Sequence, residues 1–300
     1  MKKKTYLFAL MAMVLTLGSC SDNENGIGGE TSKYITVSTS IGNMTRVATD
    51  AKGGQTFEEG DEISVYAWTG DATVAPETRE RVVNNAINKL TNGSWISNPQ
   101  MLWKNNRDKH YFIGVYPISA ISDLSAGEYT FDETKQVESD LLVAVNKDGL
   151  SYNVDEQQPV PLTFTHVMAK LVVNLTYKNQ WGGIPTVEKV VVGNAAKEAT
   201  INYLTKVVTP STTAKEDFSL PEITENTKYV SVIIPQEEVT QLTIVIGGKN
   251  FVYDNGTPFK LESGKITTVN LEVGRDEIKL GDVKITNWED GSTFSGEALN

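Results

Sequence analysis

The chain has two histidines and one cysteine among its 300 residues, so the side chains that most often perform acid–base, nucleophilic or metal chemistry are few. His110 stands at the start of a β-forming segment, and His166 lies in another. The acidic residues around them show no spacing that defines a catalytic or ligand set. We therefore interpret both as structural histidines.

A cluster of four acidic residues has the oxygen ligands that Ca²⁺ prefers: Glu58, Glu59, Asp61 and Glu62. Their spacing is not that of an EF-hand loop, so a solvated turn is favoured over a metal site. The chain also lacks GxGxxG, GxxxxGK[ST], GxSxG and HExxH motifs. We expect no enzymatic activity, no cofactor and no metal.

Five tryptophans raise the hypothesis of carbohydrate stacking: Trp68, Trp95, Trp103, Trp181 and Trp288. They are scattered, and each has apolar neighbours, so packing in the core or in turns is favoured. The net charge of −11 argues against nucleic acid as a partner, because neutralising phosphates needs a clustered cationic surface. One cysteine excludes an intrachain disulfide.

The first twenty residues explain that cysteine. Lys2, Lys3 and Lys4 precede a twelve-residue apolar run, Tyr6 to Leu17, which is too short to span a bilayer of about 30 Å as a helix. The small residues before Cys20 resemble the lipobox of bacterial lipoproteins. We predict a lipoprotein signal peptide over 1–19, acylation (palmitate) on Cys20, attachment to the outer membrane and a flexible tether over 20–33. An ordinary signal peptide with an incidental cysteine, or a core cysteine, is the alternative.

The rest of the chain must form the folded body of the protein, and its hydrophobic pattern is typical of β-sheet. The chain contains 30 Val, 19 Ile and 32 Thr, which are residues that favour strands. Short segments that alternate apolar and polar residues are separated by Gly, Asn and Pro. Residues 77–90 fit a helical stripe, but the Asn92-Gly93 turn that follows favours a hairpin strand. We predict an all-β fold of two antiparallel sandwich domains, an N-terminal one over 34–160 and a C-terminal one over 161–300.

Several stretches, in order, resemble the fimbrillin family, the fimbrial subunits and fimbria-like lipoproteins of Bacteroides-type bacteria. They are Met44–Val47, Phe57–Tyr66, Trp103 with Tyr111–Pro117, Asp140–Ala144, Leu162–Leu171 and Ile285–Trp288. The fifth matches the family's L-x-F-x-H-x-x-A-K-L pattern. Val47 stands where alanine is usual, and Ile113-Gly114 replaces the commoner Ala-Tyr.

The resemblance implies two tandem transthyretin-like β-sandwiches without enzymatic activity. It also implies that an Arg-specific protease cuts between Arg46 and Val47, that the lipidated N-terminal strand leaves, and that a strand from another fimbrial subunit fills the groove. Arg46 is the only arginine before Arg79, and Tyr34–Ile41 alternates as a strand should. Without the resemblance, Arg46 would be read as a solvated loop residue.

The pattern of apolar residues suggests which segments take part in strand exchange. If Ile35, Val37 and Ile41 are buried, their loss exposes surface worth roughly 1.5–3 kcal/mol each, or about 5–9 kcal/mol together. The C-terminus holds a candidate donor strand: Ile278, Leu280, Val283 and Ile285, interrupted by Gly281-Asp282. It fits equally well as two short strands that complete their own domain.

The resulting hypothesis is a structural subunit of cell-surface fimbriae, secreted as a lipoprotein and assembled by protease-triggered strand donation. The alternative is an uncleaved accessory or anchor lipoprotein of the same family that binds glycan or host ligands. Lipidated protein on intact cells, without a cleaved species, would favour the alternative.

Overall fold

The computed structural model describes residues 33–42, 56–153, 158–239, 241–254 and 258–288. These residues form strands and two short 3₁₀ turns, at Thr78–Glu80 and Asn179–Trp181. The strands are β1 Val37–Ile41, β2 Glu62–Thr69, β3 Arg81–Thr91, β4 Ser94–Asn98, β5 His110–Tyr116, β6 Gly127–Thr130, β7 Leu142–Leu150, β8 Val160–His166, β9 Ala169–Tyr177, β10 Val187–Ala196, β11 Glu198–Asn202, β12 Val207–Pro210, β13 Lys215–Ser219, β14 Glu222–Thr224, β15 Lys228–Ile233, β16 Gln236–Val239, β17 Leu242–Ile246, β18 Lys249–Tyr253, β19 Phe259–Leu261, β20 Lys265–Val273 and β21 Ile278–Asn287. The predicted all-β fold is confirmed.

The ambiguous segment 77–90 is mostly strand. A capping box between Glu77 and Glu80 stabilises a single 3₁₀ turn, and β3 follows that turn directly. Asn92 and Gly93 both have positive φ, 51° and 72°, which is the backbone of the two-residue turn that suits the twist of a hairpin. The hairpin signal therefore outweighed the helical stripe.

The first half of the chain forms a seven-stranded sheet in the order β1-β8-β7-β5-β2-β3-β4. β1 runs parallel to β8, and the other neighbouring pairs are antiparallel. β2 is buried on both faces: Ile63 and Val65 enter a core within this half, while Tyr66 and Trp68 enter a larger core shared with the second half. This explains why β2 is almost uniformly buried instead of alternating.

The second half contains a four-stranded sheet, β13-β10-β17-β18, and a five-stranded sheet, β14-β15-β9-β20-β21. In the latter β9 and β20 are parallel, and β21 is an edge strand paired antiparallel with β20. A two-stranded sheet, β16-β19, completes this half. Among the described residues no helix has the length and apolarity needed to cross a membrane.

Two contacts join the halves across the predicted boundary at residue 160. β8 continues the first sheet to His166, and β6 of the first half pairs with β11 in the three-stranded sheet β12-β11-β6. The larger core holds side chains from both sides of the boundary. The division into two tandem transthyretin-like domains stays a prediction.

Candidate functional site

The segment 33–42, with β1 at its centre, is embedded at the edge of the seven-stranded sheet. Ile35 and Val37 are 2% and 6% exposed and pack in the core of the first half beside residues such as Phe164. Ile41 is only half-buried. Burying two such side chains is worth about 3–6 kcal/mol, so the segment contributes somewhat less than three fully buried residues would.

Backbone bonds hold this segment on both sides. On one side the Val160 N–H donates to the Thr36 carbonyl and the Gly42 N–H to the Phe164 carbonyl, each at 2.8 Å. On the other side the Ile35 N–H donates to the Met101 carbonyl at 2.9 Å, and the Trp103 N–H donates to the Lys33 carbonyl at 3.1 Å. The segment thus lies between β8 and residues 101–103.

Aromatic side chains cover the outer part of this core. Phe57 makes edge-on contacts with Trp95, Tyr116 and Phe164 at centroid distances of 5.1–5.4 Å. The Trp95 Nε1–H donates to Thr39 Oγ1 of β1 at 3.0 Å. If residues 33–42 left, these rings and the edge of β8 would line an apolar groove.

The predicted lipidation site Cys20 and the predicted cleavage site, Arg46 and Val47, lie outside the described residues. The signal peptide and most of the tether also lie outside them. These remain predictions. The structure does describe β1 and β21, the two strands predicted to take part in strand exchange.

The predicted donor residues lie in β21, which is one ten-residue strand and not two short ones. Gly281 and Asp282 form a bulge opposite Asn270, whose Nδ2 donates to Asp282 Oδ1 at 2.6 Å. Ile278, Leu280 and Val283 are half-buried against the larger core, and Ile285 is 39% exposed. In this structure β21 completes its own sheet.

A buried polar cluster lies where β21 ends, and the sequence did not predict it. His166 Nδ1 lies 2.7 Å from Asp140 Oδ1, and the His166 ring stacks on Trp288 at 4.2 Å with an interplanar angle of 8°. The Lys170 ammonium lies 5.4 Å from the centroid of the Trp288 ring. Burial lowers the pKa of Lys170 to about 8, with nearby Asp140 opposing the shift. The only sequence signal was that these residues lie in the segments that resemble fimbrillins.

The other histidine and the tryptophans pack within the fold or form hydrogen bonds there. His110 is buried, its Nε2 accepts the Lys104 N–H at 3.1 Å, and burial lowers its pKa. The tryptophans are buried or half-buried, in agreement with packing roles.

Three residues of the acidic cluster lie in the turn that precedes β2, and the fourth, Glu62, begins that strand. There Asp61 Oδ2 accepts the Glu58 N–H at 2.7 Å, and Glu62 pairs with Lys89. No group of three or more potential metal ligands occurs among the described residues.

Two solved structures of bacterial candidate cell adhesion proteins have a similar fold. A candidate cell adhesion protein from Bacteroides ovatus superposes with a TM-score of 0.65 at 18% identity, covering 85% of this chain and 98% of that one. One from Bacteroides uniformis gives 0.64 at 19% identity, covering 86% and 100%. At these identities the likeness establishes the fold alone.

The sequence itself gives the family. The fimbrillin-like family model matches residues 45–288, which is most of the chain. A Bacteroides uniformis protein named as a candidate fimbrium subunit, Fim1C, is 25% identical over 316 residues, with 97% of each chain covered. The chain belongs to the fimbrillin-like family, and membership indicates a fimbrial, adhesion-related role at the cell surface.

Proposed function

We propose that this protein is a structural subunit of cell-surface fimbriae, exported as a lipoprotein acylated on Cys20 and anchored in the outer membrane. Cleavage by an Arg-specific protease between Arg46 and Val47 then frees the segment that contains β1. Another fimbrial subunit supplies a replacement strand. The observation that carries this proposal is the edge position of β1, with Ile35 and Val37 buried.

The groove that β1 would leave has a defined chemistry. Val37, Thr39 and Ile41 lie opposite Val160, Leu162 and Phe164 of β8, so an incoming strand needs apolar side chains with a period of two along that edge. Backbone groups of Val160 and Phe164 would lose their partners at the same time. Uncovered apolar surface and an unpaired strand edge together favour capture of a new strand.

β21 fits as the donor because its apolar side chains would be more deeply buried in the groove than they are in their own sheet. Ile278, Leu280 and Val283 are half-buried at home, whereas Ile35 and Val37 are almost fully buried in the groove. Each side chain that moves from half to full burial gains roughly 1 kcal/mol of apolar transfer free energy. The bulge at Gly281-Asp282 keeps both apolar pairs of β21 on one face, as a groove along a sheet requires.

Limited proteolysis tests this function. Purified full-length protein treated with an Arg-specific protease should yield a body of residues 47–300 and a ladder of oligomers on native gels. Arg46→Ala should abolish both products. Arg79→Ala, which changes an exposed arginine paired with Glu77, is the matched control and should leave them intact. Polymer formed by protease-treated Arg46→Ala protein would refute the proposal.

A second candidate function is an uncut accessory or anchor lipoprotein of the fimbria that binds glycan or host ligands. It is favoured by the closed state of the chain, in which residues 33–42 are bonded on both sides and β21 is paired with β20. N-terminal sequencing of surface material separates the two functions. A start at Cys20 supports the anchor, and a start at Val47 supports the polymer subunit.

A further inference from the structure

β8 contacts both ends of the described chain. Along one edge, from Val160 to Phe164, it pairs with β1, and the last of these bonds runs from the Gly42 N–H to the Phe164 carbonyl. Two residues further on, His166 ends β8 and stacks on Trp288, the residue that follows β21. One strand therefore touches both the N-terminal segment and the end of the last strand.

The docking of Trp288 is extensive but incomplete. The indole is 5% exposed, it lies flat on His166 at 4.2 Å, and the Lys170 ammonium lies 5.4 Å from its centroid. Its backbone N–H donates to the Gly264 carbonyl at 3.2 Å. Its Nε1–H is buried without a hydrogen-bond partner among the described residues. An unpaired buried donor costs free energy, so it makes the docking of the indole less favourable.

We propose that β8 couples the presence of β1 to the retention of β21, through the stack of His166 on Trp288. The purpose of this coupling rests on the proposed function, since a subunit should keep its last strand at home until its N-terminal strand has gone. Loss of β1 makes β8 the edge of its sheet and removes the bond to Phe164. The His166 ring then moves more, and Trp288, which depends on it, undocks more often.

His166 is a suitable relay because its neighbours fix its position. Asp140, from the turn before β7, accepts its Nδ1–H at 2.7 Å, and the His166 side chain is 7% exposed. The backbone of His166 lies opposite Leu142 of β7. β7 pairs with β8 from Phe164 to His166, whereas β1 pairs with it from Val160 to Phe164. A change at β1 therefore reaches His166 through Phe164, where the two pairings meet. The elements that we propose to be coupled are therefore in contact with one another along the whole route.

Hydrogen exchange of the full chain tests the coupling without polymerisation. Trp288→Ala and His166→Ala should each raise the exchange rate of the peptide over 283–288 by roughly tenfold, the effect expected for loss of one aromatic stack. Ile285→Ala, on the same strand but 39% exposed, is the matched control and should change it little. If His166→Ala does not fold, His166→Phe keeps an aromatic stack and should preserve slow exchange.

A double-mutant cycle isolates the relay. Val37→Ala loosens β1 and should raise exchange in 283–288, while the exposed Ser38→Ala should not. In a His166→Ala background, Val37→Ala should add nothing at 283–288. The inference is wrong if Val37→Ala speeds exchange in β8 but leaves 283–288 unchanged. It is equally wrong if exchange rises by the same factor in β17, because that reports global destabilisation.

The readout separates this inference from the proposed function. Coupling in the exchange data with no polymer after cleavage would leave the relay standing and refute strand donation. Polymer without coupling would refute the relay alone.

Discussion

The pH dependence of protein stability tests how strongly the buried amine of Lys170, between the two halves, is destabilised when it is charged. The residue is 2% exposed on β9, and burial lowers its pKa from 10.5 to about 8. In the unfolded chain the amine takes up a proton below about pH 10.4, so between the two pKa values the unfolded state binds more protons. Stability from this group therefore rises as pH increases from 8 to 10.5, and below pH 8 the buried charge is a constant penalty.

The magnitude follows from the shift. A shift of two to three pKa units changes the contribution of Lys170 to the unfolding free energy by about 3 kcal/mol between pH 8 and pH 10.5. Lys170→Met removes the ionisable group and keeps a long apolar stem. The difference in unfolding free energy between wild type and Lys170→Met should therefore change by about 3 kcal/mol between pH 7 and pH 10.5, in favour of the wild type at high pH.

The assay is urea unfolding, monitored by circular dichroism and repeated at intervals of half a pH unit. Buried tyrosines such as Tyr203 have raised pKa values, so their contribution to stability is present below pH 10 and lost above it. This affects both proteins alike and cancels in the difference. Lys189→Met, on an exposed strand position, is the matched control. Parallel stability curves for wild type and Lys170→Met would refute the reasoning.

Two further substitutions test the packing that the proposed function uses. Ile35→Ala should lower the unfolding free energy by about 2–5 kcal/mol, whereas Ile96→Ala, 58% exposed, should cost under about 0.5 kcal/mol in the same urea titration, and equal costs would contradict burial of the N-terminal segment. Gly114→Ala would place a Cβ 2.7 Å from Phe164 Cζ and should destabilise by about 1–3 kcal/mol in thermal melts, so an unchanged melting temperature would show that the ring moves aside freely.

Much of the fold could be predicted because alternation and turn residues are local signals. Short alternations separated by glycine did form strands: β17 ends directly before Gly247 and β20 directly before Gly274. The hairpin at Asn92-Gly93 was predicted from two residues. Strand partners were not predictable in this way. A period of two fixes which face is buried, but not which strand lies alongside, so the parallel pairing of Val37 with Val160 could not be read from the sequence.

The polar cluster was missed for a related reason. His166 and Asp140 are 26 residues apart in sequence, and Trp288 lies far beyond both, so no local spacing connects them. Each stood in a different segment of the family resemblance. Only the sheet topology brings the end of β8 to the end of β21.

The edges of the sheets bear on how subunits of this kind would associate. A regular exposed strand invites another strand to pair with it, and proteins oppose this with bulges and charged side chains. β21 has both: the bulge at Gly281-Asp282, and Lys279 and Lys284 exposed along the strand. β1 is blocked differently, because residues 101–103 already bond to its N-terminal side. Addition of a strand to either edge is therefore disfavoured in the closed chain. Removal of residues 33–42, as proposed above, would instead leave β8 as an unpaired edge.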